Sequence, residues 1–234
     1  MMRTFSFSTA TCLALLSASL ITSSATGQTV TFDFQDGTDQ GFGTGFGNDA
    51  SKSFPIVNIG GSLRMEVTLG GFQVGGRQSQ GLDAFLAAMN TAVNNPTIST
   101  ISYDWYVDTS LSPGNYGTFM QFGTYINSGG GAYAQDFPGT GKDVELNGTQ
   151  LASGQVFSGT VTETLSQKYG VLSDPNWFAQ SFMRFGLIMN GDGSQTLGKV
   201  YFDNITITAV PEPSSLALAA LAAPAFWMIR RRKM

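Results

Sequence analysis

Apolar and polar residues alternate with a period of two over much of the chain, which is the pattern of half-buried β-strands. Over residues 29–34 this alternation places Val30, Phe32 and Phe34 on one face of a strand. Residues 62–69 repeat the pattern with four apolar side chains on one face. Further strands are predicted over residues 72–77, 98–107, 118–126, 143–146, 154–165, 182–189 and 199–208.

One segment has helical spacing instead. Its apolar residues Leu82, Phe85, Leu86, Met89 and Val93 recur at intervals of three and four, and Asn-Asn-Pro follows at once. Proline after such a run ends a helix, so a helix is predicted over residues 82–93. We expect it to cover one end of the sheets.

These elements predict an all-β fold, an antiparallel β-sandwich of the jelly-roll type with eight or nine strands and one short helix. Residues 128–142, rich in glycine, are predicted to form one long exposed loop. Residues 41–48 are predicted to form a loop interrupted by glycines, because their glycine spacing does not fit a dinucleotide-binding turn.

The N-terminal end has the pattern of a secretory signal peptide. Arg3 precedes an apolar run over residues 10–21, and small residues suited to cleavage follow it. The predicted signal peptide therefore covers residues 1–27, and the body begins at Gln28. The chain's single cysteine, Cys12, lies inside it. The exported body consequently has no disulfide and no thiol chemistry.

The C-terminal end combines three elements in a fixed order. Pro-Glu-Pro follows Val210, an uncharged stretch covers residues 214–229, and basic residues close the chain. Two prolines keep the tripeptide extended. The 16-residue apolar stretch is shorter than the roughly 20 residues of a permanent span. Basic residues behind an apolar helix stay cytoplasmic. We interpret residues 210–234 as a sorting tail with a transmembrane helix.

This tail resembles that of the PEP-CTERM family of exported bacterial proteins, whose motif is also called the ice-binding protein C-terminal domain. The resemblance implies an exosortase partner that cleaves near the tripeptide, with the membrane contacted only before processing. It further implies transient residence in the inner membrane, and then delivery to the cell surface or extracellular matrix of a Gram-negative-type bacterium. The implied sorting residues are Val210, Pro211, Glu212, Pro213, Arg230, Arg231, Arg232 and Lys233.

The body, residues 28–209, carries a second resemblance. Thr-Phe-Asp-Phe-Gln-Asp-Gly over residues 31–37 and Val-Tyr-Phe-Asp-Asn-Ile-Thr-Ile over residues 200–207 are similar to the first and last strands of galactose-binding-like jelly rolls. Many carbohydrate-binding modules belong to that group. The resemblance implies a structural Ca²⁺ ion held by Gln35 or Asp36 together with Asp203. Gln35 stands where glutamate is usual. An ordinary turn at Asp36 and an edge position for Asp203 are the alternative.

Charge and aromatic residues narrow the choice of partner. The body has 15 acidic and 7 basic residues, a formal charge of −8, which excludes a nucleic-acid partner that phosphate contacts would hold. A sugar ring stacks its C–H face on an aromatic ring while amides and carboxylates bind its hydroxyls. The candidate platforms for a polysaccharide are Tyr106, Tyr125, Tyr133 and Trp177, with Gln121 and Asp136 as polar partners. For each ring the alternative is a place in the core.

The chain has no histidine, which excludes Ser-His-Asp triads and histidine-ligated zinc. A nucleophile elbow is also missing from the sequence. We therefore predict a non-catalytic body with a structural or carbohydrate-binding role. Two alternatives stay open: a polysaccharide hydrolase or lyase, which needs only two carboxylates, and a purely structural matrix protein without a ligand.

Overall fold

A computed structural model of the chain describes residues 27–42, 54–68, 73–80, 83–111, 118–135, 143–152, 154–170, 172–191 and 198–211, with the backbone alone for 73–80 and 189–191. Residues Gln28–Val210 form one compact unit. Residues 1–26 of the predicted signal peptide and the sorting tail beyond Pro211 lie outside the described residues. Within the described ranges, no helix has the length and apolar character needed to cross a membrane.

The described part of the chain contains eleven strands. They are β1 (Gln28–Phe32), β2 (Ile56–Ile59), β3 (Ser62–Thr68), β4 (Gln73–Gln80), β5 (Thr100–Asp108), β6 (Phe119–Ser128), β7 (Tyr133–Gln135), β8 (Val144–Asn147), β9 (Val156–Thr164), β10 (Phe182–Gly191) and β11 (Lys199–Ala209). The helices are α1 (Ala84–Asn94), α2 (Gly148–Leu151) and α3 (Leu165–Tyr169), with a 3₁₀ turn at Pro175–Trp177.

The strands form two antiparallel sheets. The six-stranded sheet has the order β2-β3-β11-β5-β9, and β1 also pairs with β11. The five-stranded sheet has the order β4-β10-β6-β7, and β8 also pairs with β6. The core lies between them and contains buried residues of both, such as Phe202 and Phe122, whose ring centroids are 5.5 Å apart. The predicted antiparallel β-sandwich is confirmed.

Helix α1 confirms the helix predicted from the apolar spacing. Asp83 caps it, with Oδ1 accepting a hydrogen bond from the Phe85 backbone N–H at 2.7 Å. Phe85 packs against Phe32 of the six-stranded sheet and Phe185 of the five-stranded sheet. The helix therefore closes one side of the core between the sheets.

The prediction of one continuous loop over residues 128–142 is wrong at residues 133–135, because these form β7 and pair with β6. A strand of three residues is too short to show an alternation of its own. Strand β2 and the single turns α2 and α3 were also not predicted. Both turns carry a capping box, Asn147 with Gln150 and Thr164 with Gln167, which is a signal visible in the sequence.

A β-bulge interrupts β11. The register between β11 and β5 shifts between Asp203 and Thr206, and Asn204 has a left-handed backbone with φ of 49°. The extra residue lets Phe202 and Ile205 both enter the core. Asp203 between them is left on the outer face of the six-stranded sheet, beside Asp104, its register partner on β5.

Candidate functional site

The outer face of the five-stranded sheet gathers two of the predicted aromatic platforms. Tyr125 lies on β6 between core residues, and with Ile188 of β10 it forms a small buried cluster apart from the main core. That separation places both side chains on the outer face. Gln135 of β7 is the register partner of Tyr125 on one side, and Gly186 of β10 is its partner on the other.

Tyr133 stacks on Tyr125 at this face. The two ring centroids are 6.0 Å apart and the ring planes are inclined by 29°. Tyr133 is 44% exposed, whereas Tyr125 is fully buried. The Tyr133 hydroxyl donates to Gln135 Oε1 at 2.6 Å, which fixes the ring's direction. Burial raises the pKa of both tyrosines, so each hydroxyl stays protonated at neutral pH.

Polar side chains lie beside the stacked pair and further along the same face. Asn127 is the register partner of Tyr133 on β7 and of Arg184 on β10. The Arg184 charge acts on the Tyr125 hydroxyl and opposes part of the rise in its pKa. Gln121 Nε2 donates to Glu145 Oε2 at 3.1 Å. The face therefore offers one accessible aromatic ring with amide and guanidinium groups beside it and a carboxylate further along β6, the chemistry that recognises polyhydroxylated ligands.

Tyr106 lies on the other side of the sandwich, on the outer face of the six-stranded sheet. The guanidinium of Arg64 lies over its ring, 4.5 Å from the ring centroid. Tyr201 packs against it edge-on at 6.1 Å between centroids. The structure thus separates the predicted platforms into two groups, Tyr125 with Tyr133 on one face and Tyr106 on the opposite face.

Residues 209–233 match the family model of the PEP-CTERM protein-sorting motif. The chain carries a PEP-CTERM sorting tail. This confirms the sorting tail predicted from the sequence, and it indicates a bacterial protein that is exported and sorted to the cell surface with processing by an exosortase. No curated protein matches the chain.

The body that precedes this sorting tail is similar to solved carbohydrate-binding modules. A family 28 module specific for non-crystalline cellulose aligns with 74% of this chain and 89% of its own, at 17% identity and a TM-score of 0.50. A family 27 module from Caldicellulosiruptor saccharolyticus, solved with mannohexaose, aligns with 78% of this chain and 98% of its own, at 15% identity and a TM-score of 0.44. The family 11 module of Lic26A-Cel5E from Clostridium thermocellum aligns with 81% of this chain and 98% of its own, at 16% identity and a TM-score of 0.40. The first of these confirms the jelly-roll fold.

The residues expected to hold Ca²⁺ lie in two places, Asp36 in a turn and Gln35 with Asp203 at a contact between strands. The Asp36 carboxylate is fully exposed and accepts from the backbone N–H and hydroxyl of Thr38, which lower its pKa. The Asp203 carboxylate is buried, and it accepts from Ser62 Oγ at 3.0 Å and the Asn204 N–H at 2.8 Å. The described part of the chain contains no cluster of three or more acidic, histidine or cysteine side chains suited to a metal.

Gln35 lies at the junction where the segment after β1 meets strands β3 and β11. Its Nε2 donates to the carbonyl oxygens of Asp33 at 2.9 Å and Leu63 at 3.1 Å, and it lies 3.3 Å from Ser62 Oγ. Ser62 in turn binds Asp203. A neutral amide therefore ties the segment after β1 to β3 and, through Ser62, to β11. As arranged, a donor nitrogen lies between these carbonyl oxygens, and this does not fit Ca²⁺, since the ion takes oxygen ligands.

Trp177 is 4% exposed and packs in the core, so we do not place it in the proposed site. Asp136 lies outside the described residues. Sequence reasoning did not select Asn127, Gln135 or Arg184. The alternation along β6 and β10 could have indicated Asn127 and Arg184. Each lies two residues from another residue of its strand on the outer face, and alternate residues of a strand share a face. Gln135 had no such signal, since β7 is too short.

Proposed function

We propose that the body of this PEP-CTERM protein binds an extracellular polysaccharide without catalysis, at the outer face of the five-stranded sheet. The observation that carries the proposal is the exposed ring of Tyr133, stacked on Tyr125 and bordered by polar side chains. The jelly-roll fold, of a kind that carbohydrate-binding modules also have, supports it.

Tyr133 supplies the platform in this proposal. One face of its ring rests against Tyr125, and 44% of the residue is exposed to solvent, where the C–H face of a pyranose can reach it. Because Tyr125 and the hydrogen bond to Gln135 already hold the ring, little side-chain entropy is lost on binding. Asn127 and Arg184 would then hydrogen-bond the hydroxyls of the same or the next sugar unit.

The sorting tail indicates where the body would meet its polysaccharide. We propose that the chain is exported by residues 1–27, held briefly at the inner membrane by its C-terminal helix, and released by the exosortase. The body then joins the extracellular matrix of a Gram-negative-type bacterium. Its net negative charge suits neutral polysaccharides, because anionic polymers would be repelled.

The test is binding of the isolated body, residues 28–210, to an array of polysaccharides. Tyr133→Ala removes the platform, and Tyr133→Phe is the matched control that keeps the ring and loses the hydroxyl. We expect Tyr133→Ala to weaken binding at least tenfold and Tyr133→Phe to change it less than threefold, since about 1.4 kcal/mol corresponds to a factor of ten.

Three other results would contradict the proposal. Equal binding by wild type and Tyr133→Ala would place the glycan elsewhere. Turnover of a bound polysaccharide would instead establish a hydrolase or lyase. Binding to no polysaccharide would support a purely structural matrix protein.

A further inference from the structure

A cleft opens on the outer face of the six-stranded sheet, on the opposite side of the sandwich from Tyr133. Its volume is about 220 Å³. Its walls include Arg64 of β3, Asp104 of β5, Ser158 and Thr160 of β9, and Tyr201 and Asp203 of β11. The β11 bulge contributes directly, because it leaves Asp203 on this face beside Asp104.

Arg64 brings an unused hydrogen-bond donor to this cleft. Its Nη1 is shielded from solvent and has no hydrogen-bond partner among the described residues. The guanidinium is held in place over the Tyr106 ring. A shielded donor without a partner costs free energy, and an acceptor on a bound molecule would remove that cost.

The two carboxylates provide the acceptors. Asp104 accepts from Thr160 Oγ1 at 2.5 Å and from Asn204 Nδ2 at 2.7 Å. Asp203 accepts from Ser62 and the Asn204 N–H. These contacts orient both groups, and a carboxylate has about four lone-pair positions, so each retains capacity for a ligand hydroxyl.

Size and charge define the ligand. The cleft is smaller than the roughly 300–1,000 Å³ of pockets for drug-sized molecules, which suits a single sugar unit or the end of a chain. Two carboxylates against one guanidinium leave an excess negative charge, so a uronic acid or a sulfated sugar would be repelled. We infer that this cleft binds one neutral sugar unit and is a second glycan site, on the face opposite Tyr133.

The body would then have two glycan sites on opposite faces of the sandwich. One body would hold two separate glycan chains at once and would cross-link them. Cross-linking rests on the proposed function, since it needs the Tyr133 site as well, whereas binding in the cleft does not.

The cleft can be tested through Trp105, whose side chain is half-buried and which also lines it. The indole N–H resonance of Trp105 would be followed by NMR in the isolated body during titration with methyl glycosides of glucose, mannose and galactose. We expect at least one of them to shift this resonance to saturation.

Variants separate the cleft from the other face. Ser158→Trp fills the cleft from the exposed edge strand and is expected to abolish the shift. Thr162→Trp is the matched control, because Thr162 is exposed on the same strand two positions beyond the wall residue Thr160. Thr162→Trp and Tyr133→Ala should both keep the shift. No shift with any of the three glycosides, or a shift that Ser158→Trp leaves unchanged, would overturn the inference.

The same variants distinguish this inference from the proposed function. Loss of array binding in Tyr133→Ala with an intact Trp105 shift supports two independent sites. A Trp105 shift in a body that binds no polysaccharide would contradict the proposed function alone. Mixed with a soluble polysaccharide that it binds, the wild-type body should produce turbidity, and Ser158→Trp and Tyr133→Ala should each prevent it. Turbidity that survives either substitution would contradict cross-linking through these two sites.

Discussion

Gln28 pairs with Ala209, so the first strand of the body begins beside the residue at which the last strand ends. Gln28 directly follows the predicted signal peptide, and Ala209 is the first residue of the match to the sorting motif. The backbone N–H of Val210 donates to Ser99 Oγ at 3.1 Å, so ordered structure reaches the residue before Pro-Glu-Pro. Because β11 lies between β3 and β5, the body cannot complete its sheet until the segment next to the sorting tail has been exported.

Glu212→Gln is expected to leave a longer, membrane-retained form of the protein. The exosortase is expected to recognise the Pro-Glu-Pro tripeptide, and the substitution removes its only charge. Immunoblots of membrane and extracellular fractions would measure the two forms, with Ser214→Ala as the control that leaves the tripeptide intact. Normal processing of Glu212→Gln would contradict the assignment of the tripeptide.

Gln35→Glu is expected to make the stability of the body depend on Ca²⁺. A carboxylate at this position would face the carbonyl oxygens of Asp33 and Leu63, and these repel it unless a cation lies between them. Thermal unfolding with chelator and then with millimolar Ca²⁺ would measure this. We expect Gln35→Glu to unfold at a lower temperature than wild type in chelator and to recover with Ca²⁺.

The wild-type body serves as the control for that experiment. Its amide already donates to both carbonyls, so Ca²⁺ should leave its unfolding temperature unchanged. A wild-type protein that gains stability with Ca²⁺ would show that Gln35 acts as a metal ligand after all.

Lys168→Met is expected to destabilise the body strongly. Lys168 Nζ lies 2.5 Å from Asp143 Oδ1, and both side chains are completely buried. Tyr103 also donates its hydroxyl to Asp143. Removing the lysine leaves a buried carboxylate without its cation, which typically costs about 3–5 kcal/mol.

Urea unfolding would measure the loss in Lys168→Met. The double variant Asp143→Leu with Lys168→Met removes both charges, so it should be more stable than Lys168→Met alone. A double variant that is the less stable of the two would contradict this account of the ion pair.

Gly159→Ala is expected to disturb the cleft. A Cβ at this position would lie 3.0 Å from Trp105 Nε1, closer than ordinary contacts, so the indole must move. Overpacking of this kind costs about 1–3 kcal/mol. Urea unfolding followed by tryptophan fluorescence would measure it, with Ser158→Ala on the same strand as the control. An unchanged unfolding midpoint would show that Trp105 has room to yield.

The strand pattern predicted much of the fold because it is a local property. The alternation in residues 29–34 and 199–208 identified β1 and β11, and the three- and four-residue spacing identified α1. β7 was not predicted, because a strand of three residues is too short to show an alternation. The bulge at Asp203 and Asn204 also could not be predicted, because it is set by pairing with β5 and not by the residues of β11 alone.

The sequence by itself identified the sorting tail of this protein. The tripeptide, the apolar run and the basic end follow one another along the chain. This motif can therefore be recognised without knowledge of the fold. The alternation likewise determined which side chains of one strand share a face. It could not determine which strands are neighbours, since pairing depends on contacts between residues far apart in the chain.

Only the tertiary structure placed Tyr133 on Tyr125 and put Tyr106 on the opposite face. It alone brought Arg64 to the cleft that Asp104 and Asp203 also line, and Gln35 to the carbonyl of Leu63. A binding face is assembled from several strands at once, so it exists only when their order and register are fixed.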